Sequence, residues 1–208
     1  MQPKFKKNYY RNLFTWKELV ALINIRPLMT VERVKIPQVK DYEWVNSVWT
    51  LNRNCYPPLL LKEIIQNNLC YLRDMSRCSR KVNDLAKRLE EEYNGSVDAH
   101  IYICRNPSLS HPFGIHFDFY DNVIIQCEGR TNFKVWDVDE TASREKGMNV
   151  HLTKRKDPPI MDVDMRPGDA IWIPKYYPHL ATSKNVRMSV SFPVDVNAQR
   201  QPREWINL

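Results

Sequence analysis

His116 and Asp118, separated by one residue, and His179, sixty-one residues beyond that aspartate, are the side chains of this sequence best suited to chemistry. Two imidazoles and one carboxylate can occupy one face of a metal and leave the other positions open, as oxygen-activating non-heme Fe(II) requires. His-x-Asp tripeptides arise by chance in many proteins, so the flanking residues carry the argument. His179 follows the run Arg166-Pro-Gly-Asp-Ala-Ile-Trp-Ile-Pro174-Lys-Tyr-Tyr-Pro178. There Gly168 suits a tight turn, and Ile171 and Ile173 alternate as a half-buried strand that then delivers a histidine. Both ligand segments are therefore expected on strands.

Those strands need a scaffold. After Asn94-Gly95 the chain breaks into short alternating or wholly apolar runs separated by turn signals. The expected strands are Asp98–Arg105, Ile115–Phe119, Asn122–Glu128, Asn132–Asp137, Asn149–Leu152, Ile160–Val163, Ala170–Pro174, Pro178–Thr182 and Arg187–Pro193. Strands this short and this evenly spaced point to a barrel or sandwich. The first third reads helical. Thr15 and Glu18 form a capping box, flanked by Phe14 and Leu19 as a hydrophobic staple, and the helix they open should stop before Pro27. Pro57-Pro58 opens a second helix through Leu60, Leu61, Ile64 and Ile65. Val82, Leu85, Ala86, Leu89 and Tyr93 recur at helical spacing in a third. These faces are expected to cover one side of a sheet. The connection 139–156 is charged and expected to be mobile, and no internal repeat or low-complexity tract is found.

At 208 residues the chain suits one domain, 1–208, in which helical residues 1–95 pack on a β core of residues 96–195. Its net charge of +7 sits in residues 1–40, where nine Lys and Arg face only Glu18 and Glu32. Residues 41–208 hold 22 of each sign and are neutral. A basic extension with Tyr9, Tyr10 and Trp16 can bind nucleic acid, through Lys4, Lys6, Lys7 and Arg11, or can be a solvated surface. The five cysteines, Cys55, Cys70, Cys78, Cys104 and Cys127, include no C-x-x-C pair. That argues against a disulfide framework or structural zinc and for a reducing compartment. With no signal-peptide pattern and no apolar run of membrane-spanning length, a soluble cytoplasmic protein without a membrane partner is expected.

His116-Phe-Asp118-Phe-Tyr-Asp-Asn122-Val-Ile-Ile-Gln126-Cys-Glu-Gly129, with Pro167-Gly168-Asp169 and Pro174-x4-His179 downstream, resembles the cupin-like JmjC branch of the Fe(II)/2-oxoglutarate oxygenases. Within that branch it is most similar to ribosomal-protein and asparaginyl hydroxylases. The likeness covers residues 98–193. It implies a mainly β fold with flanking helices, a double-stranded β-helix (jelly-roll, cupin-like barrel) with the metal at one mouth. Carried over by position, His116, Asp118 and His179 would be the iron ligands, while His100, His111 and His151 fall outside the motif.

An ionised co-substrate carboxylate inside such a barrel must be paired. In JmjC relatives the cation commonly sits two or three residues past the conserved glycine, where this sequence has Thr131 and Asn132. Three basic residues, Arg130, Lys134 and Arg187, offer themselves. Arg187, Ser189 and Ser191 share one face of a strand, and Arg187-x-Ser189 is similar to the carboxylate clamp of other 2-oxoglutarate oxygenases. Lys134 is the alternative, although it shares its parity with Arg130, opposite to Thr131, Phe133 and Val135, and should point outward if Thr131 faces in. Thr131 and Tyr102 are candidate hydroxyl donors. Asn122 and Gln126 would steady a ligand carboxylate or its waters, and Phe113 would pack against the co-substrate.

The resemblance thus implies an Fe(II)- and 2-oxoglutarate-dependent dioxygenase, a hydroxylase that uses O2 and 2-oxoglutarate and acts on a protein side chain. The competing readings are a cupin metalloenzyme acting on a small molecule without 2-oxoglutarate, a nucleic-acid-modifying oxygenase, and a non-catalytic binding module on a cupin scaffold.

Overall fold

The computed structural model describes residues 2–25, 34–35, 55–77, 79–106, 114–138, 155, 157–183 and 186–197. Phe113, His111, His151, the expected strand Asn149–Leu152 and all of the 139–156 connection except Arg155 lie outside these residues.

Helix α1 (Trp16–Ile23) begins where its cap dictates. The Glu18 N–H donates to Thr15 Oγ1 at 3.3 Å, and Glu18 Oε2 accepts the Thr15 N–H at 2.8 Å. Phe14 and Leu19 are both buried beside this box. The helix ends at Ile23, with Asn24 as its C-cap. Helix α2 (Pro58–Asn67) carries a proline in its first turn, where the missing N–H costs nothing, and buries Leu61, Ile64 and Ile65. Helix α3 (Arg80–Tyr93) buries Val82, Leu85, Ala86 and Leu89 and stops at Asn94, whose left-handed backbone ends the helix.

The first third is not purely helical, because short strands within it complete the main sheet. These are β1 (Lys4–Lys6), β2 (Val34–Lys35) and β3 (Leu69–Leu72), the last an apolar run too short for a helix and buried on both sides. They join β4 (Ser96–Val97), β5 (His100–Cys104), β6 (Asp121–Gly129), β9 (Ala170–Ile173) and β11 (Arg187–Asp195) in one eight-stranded sheet of order β1-β9-β6-β11-β5-β3-β2, with β4 also pairing β11. Strands β7 (Thr131–Val135), β8 (Met161–Met165) and β10 (His179–Thr182) form the second sheet, ordered β10-β7-β8. All pairings are antiparallel. The two sheets form the jelly-roll expected of the motifs.

Alternation along the strands separates two cores. Val123, Ile125, Trp172, Met188, Val190 and Phe192 face the helices, and Ile124, Phe133, Val135, Met165, Ile171 and Ile173 fill the space between the sheets. Arg187, Ser189 and Ser191 lie on the second side, with Ser191 opposite Ile124. A bulge between Met188 and Ser189 absorbs one residue of β6 after Gln126, so Asn122, Ile124 and Gln126 keep a common inward parity. Gly129 makes the β6–β7 turn with φ of 69°, and a Cβ there would collide with the Val186 carbonyl oxygen. Only glycine fits both demands. Among the described residues no helix is long and apolar enough to cross a membrane.

Candidate metal centre

The segment expected as a strand over Ile115–Phe119 makes only one bridge, at His116. That bridge is antiparallel to His179: the His116 N–H donates to the His179 carbonyl at 3.1 Å, and the His179 N–H returns the bond at 2.7 Å. Such a pair sets both side chains on one face, and the two rings stand 4.4 Å apart. Beyond His116 the chain leaves the ladder, which lets the Asp118 carboxylate meet both rings.

Each histidine is oriented by its own loop. His116 Nδ1 lies 3.1 Å from the Gly114 carbonyl oxygen, and His179 Nδ1 lies 3.0 Å from that of Tyr177. A carbonyl only accepts, so Nδ1 carries the proton in both rings, which leaves Nε2 as the nitrogen available to a metal. Asp118 Oδ1 lies 4.0 Å from His116 Nε2, and its Oδ2 lies 3.8 Å from His179 Nε2. These gaps are too wide for hydrogen bonds and leave room for an ion with ligand bonds of about 2.1 Å. Ligand atoms of all three side chains lie within 4.8 Å of one another. The donor set therefore fits a divalent transition metal. His179 is buried, whereas His116 and Asp118 remain partly exposed at the open side.

The carboxylate is held from behind. Asn122 Nδ2 donates to Asp118 Oδ2 at 3.1 Å, and Ser191 Oγ donates to Asn122 Oδ1 at 2.7 Å. The serine fixes which end of the amide faces the aspartate. The Tyr176 N–H donates to the Asp118 carbonyl at 2.9 Å. Tyr176 sits at φ of 68°, and its ring meets Phe117 and Phe119 edge-on, each at 6.0 Å. Asn122→Ala should weaken Co(II) or Fe(II) binding by roughly 10–100-fold, the usual cost of losing a hydrogen bond to a metal ligand. Ser191→Ala should have a smaller effect of the same sign. Metal titration of both variants is the check, and unchanged affinity in Asn122→Ala would detach this relay from the centre.

Deeper on the same inward face, Arg187 is 5% exposed. Among the described residues its guanidinium has no hydrogen bond and no ion pair. Burial pulls its pKa down, opposed by Cys104 and Tyr102; guanidinium nevertheless stays protonated in proteins. A buried charge without a partner is costly unless a ligand supplies one. Ser189 is buried two residues along and Tyr102 stands opposite it on β5, its ring stacked on Tyr71 at 5.3 Å. Burial raises the Tyr102 phenol pKa and Asp118 raises it further, with Arg187 opposing. The aspartate and the arginine therefore act on this phenol with opposite sign.

Thr131, Phe133 and Val135 face in, as their parity requires. Thr131 Oγ1 and Gln126 Oε1 are buried without a hydrogen-bond partner among the described residues. Lys134 does not join them. It lies on the outer face, where its ammonium is 3.5 Å from Asp162 Oδ2, and Asn132 beside it donates to Asp162 and Asp164. Lys134 therefore points away from the space between the sheets, because one step along a strand reverses the face.

Ser191's link to Asn122 and a second group of possible ligands, Asp74, Asp98 and His100, were not read from the sequence. The Asp98-x-His100 spacing was the available signal for the latter. This group is satisfied internally: His100 Nε2 lies 3.4 Å from Asp98. Burial opposes the Asp98 charge, but hydrogen bonds from His100, Asp74 and the Ala99 amide hold its carboxyl well below the usual carboxylate range.

Comparisons with known proteins agree with this architecture. Over 201 residues the chain is 27% identical to the bifunctional lysine-specific demethylase and histidyl-hydroxylase NO66 of Caenorhabditis briggsae, covering 93% of this chain and 25% of that protein. It is 28% identical to the protein of that name from Drosophila persimilis over 141 residues, 67% of this chain and 20% of the relative. The chain thus spans a quarter or less of the length of these curated relatives. Among solved structures, the Escherichia coli ribosomal oxygenase YcfD in complex with cobalt and 2-oxoglutarate superposes with a TM-score of 0.62 at 19% identity, covering 93% of this chain and 48% of that one. This is a likeness of fold. The JmjC domain model matches residues 76–201, more than half of the chain and all of the elements that carry His116, Asp118, His179 and Arg187, and the chain accordingly belongs to the JmjC domain family.

Proposed function

We propose that this domain is an Fe(II)- and 2-oxoglutarate-dependent dioxygenase that hydroxylates a protein side chain, with a ribosomal protein as the first candidate substrate. The observation that carries the reading is the buried guanidinium of Arg187, which has no hydrogen-bond or ion-pair partner among the described residues and stands on the β11 face whose Ser191 reaches Asp118 through Asn122. Ser191, linked through Asn122 to Asp118, lies four residues from Arg187 on β11, or about 13 Å along an extended strand. A long guanidinium arm from Arg187 and a five-carbon diacid held at the His116, Asp118 and His179 centre would together match such a span. A cupin enzyme that dispenses with 2-oxoglutarate has no use for this cation, and a binding module has none for the oriented imidazoles.

In this reading His116, Asp118 and His179 hold the metal and leave the exposed side of the centre open. Arg187 takes the distal carboxylate in two hydrogen bonds, helped by the hydroxyls of Ser189, Thr131 and Tyr102. When bound, Fe(II) and 2-oxoglutarate supply the oxidation of a C–H bond by O2, with succinate and carbon dioxide as co-products. The protein's share is to orient these groups and exclude water around them. The names of the relatives, histidyl-hydroxylase and ribosomal oxygenase among them, favour a protein substrate. β1 and β3 pair into the barrel's own sheet, which supports treating the N-terminal region and the barrel as one domain.

The test is spectroscopic. Anaerobic addition of Fe(II) and 2-oxoglutarate to the purified protein should produce the weak visible charge-transfer band of the chelate. The band should vanish when O2 is admitted, with formation of succinate. Iron bound without any such band would favour the cupin enzyme that does without 2-oxoglutarate.

A further inference from the structure

The basic N-terminal segment is not used by the centre described above, yet the fold pins it in place. β1 pairs along β9, with Lys4 opposite Trp172 and Lys6 opposite Ala170. The Tyr10 N–H donates to the Gly168 carbonyl at 3.0 Å, Arg11 packs over the same glycine, and Lys81 of α3 reaches the Asn12 carbonyl. Residues 4–12 and the outer side of α3 therefore form one continuous, ordered surface.

Cations and rings alternate on that surface. Lys4 Nζ stands 5.4 Å from the Trp172 ring, Lys6 Nζ 5.0 Å from Tyr9, and the Arg88 guanidinium of α3 5.8 Å from Tyr10. Lys4, Lys6, Lys7, Arg11 and Arg88 are all exposed. Of the acids nearby, Glu18 and Asp169 are already engaged. Glu18 is paired with Lys81 at 3.3 Å, and the buried Asp169 accepts the backbone N–H groups of Asn8 at 3.0 Å and Arg166 at 2.9 Å. Glu91 and Glu92 at the end of α3 are also exposed, and Glu92 lies with Tyr9 around Tyr93, but the five exposed cations outnumber them and the face keeps a net positive charge.

We infer that this face docks single-stranded RNA. Phosphates match the five exposed cations, and planar bases match the half-buried Tyr9 and Tyr10 rings that Lys6 and Arg88 now cover, as on surfaces that bind single strands without sequence preference; Trp172 under Lys4 is buried in the core and is not part of this match. A phosphate that draws an ammonium aside uncovers the ring for a base. An acidic peptide would use the charges but not the rings. A membrane surface would call for apolar groups projecting outward, whereas Tyr9 and Tyr10 are half-buried. The choice of RNA over DNA rests on the proposed ribosomal substrate, which is presented beside RNA; the surface itself is independent of that reading.

The test is fluorescence anisotropy of the full chain with a labelled single-stranded RNA of about a dozen nucleotides, without added metal or 2-oxoglutarate, so that failure of the oxygenase reading leaves it intact. Affinity should fall with salt, with a log–log slope of up to about −3.5 if all five cations each contact one phosphate at about 0.7 per contact. The combined variant Lys4→Gln, Lys6→Gln, Lys7→Gln, Arg11→Gln should lose at least roughly tenfold in affinity and flatten the slope. Tyr10→Leu should lose roughly fivefold or more, the value of one stacked base. Circular dichroism checks the fold, and Lys7→Glu with Arg11→Glu, outside the strand, serves if the fourfold variant misfolds.

Absence of binding at low salt, or binding that ignores these substitutions, overturns the proposal. Loss with the charge variants but none with Tyr10→Leu leaves a general polyanion site and overturns the assignment to a stacked single strand. Equal affinity for single-stranded DNA, for phosphatidylserine vesicles or for a poly-glutamate peptide overturns the RNA assignment.

Discussion

Replacing His116, Asp118 or His179 by alanine, one at a time, should abolish one-to-one Fe(II) binding in a calorimetric titration while leaving the far-ultraviolet circular dichroism of the protein unchanged. The loss should exceed a hundredfold in each case, because even a residue that only hydrogen-bonds a ligand is worth about 10–100-fold. The fold should survive because the bridge between the two histidines is made by backbone groups, which alanine retains. The cores above and below the sheet do not include the three side chains. A variant that binds Fe(II) with undiminished affinity would strike its residue from the ligand set.

Arg187→Met is the second large effect. Methionine keeps much of the volume but leaves the distal carboxylate of 2-oxoglutarate without its cation, and losing such a charged partner costs about 2–5 kcal/mol. Apparent 2-oxoglutarate affinity should therefore fall at least roughly thirtyfold, with Fe(II) affinity hardly altered. Thermal unfolding separates this role from a structural one. Without co-substrate the variant should be as stable as the parent or more so, since it relieves a buried, unpaired charge. The stabilisation that 2-oxoglutarate gives the parent should disappear. Lys134→Met, which loses only a surface pair with Asp162, is the matched control. A reversed pattern between the two variants would move the co-substrate site to Lys134.

What was legible in the sequence was local. The capping box of Thr15 and Glu18, the proline opening of α2 and the apolar spacing of α3 depend on neighbours within one or two turns, and all three helices form where they were expected. Strand parity is equally local, because the side-chain period of two follows from the pleat. Alternation therefore set Lys134 on the face opposite to Thr131 and put Arg187, Ser189 and Ser191 on one face, while the register of the motif was needed to say that Thr131 is the one inside. The expected strand around His116 failed for the opposite reason. Its single bridge depends on where β10 arrives, and no local pattern reports that.

By itself, then, the sequence determined the chemical types available to the centre, two imidazoles, a carboxylate and a guanidinium, and the face of the strand on which most of them stand. Only the tertiary structure decided that His116 lies opposite His179, that Ser191 reaches Asn122 across 69 residues of chain to orient Asp118, and that Arg187 is buried with no partner among the described residues. The tertiary structure also drew the basic N-terminal segment into the main sheet as β1, with Lys4 over the distant Trp172 ring and Arg88 of α3 over Tyr10. The physical reason is that registers between distant strands are selected by the packing of both cores at once, a property of the closed barrel that no stretch of sequence carries alone.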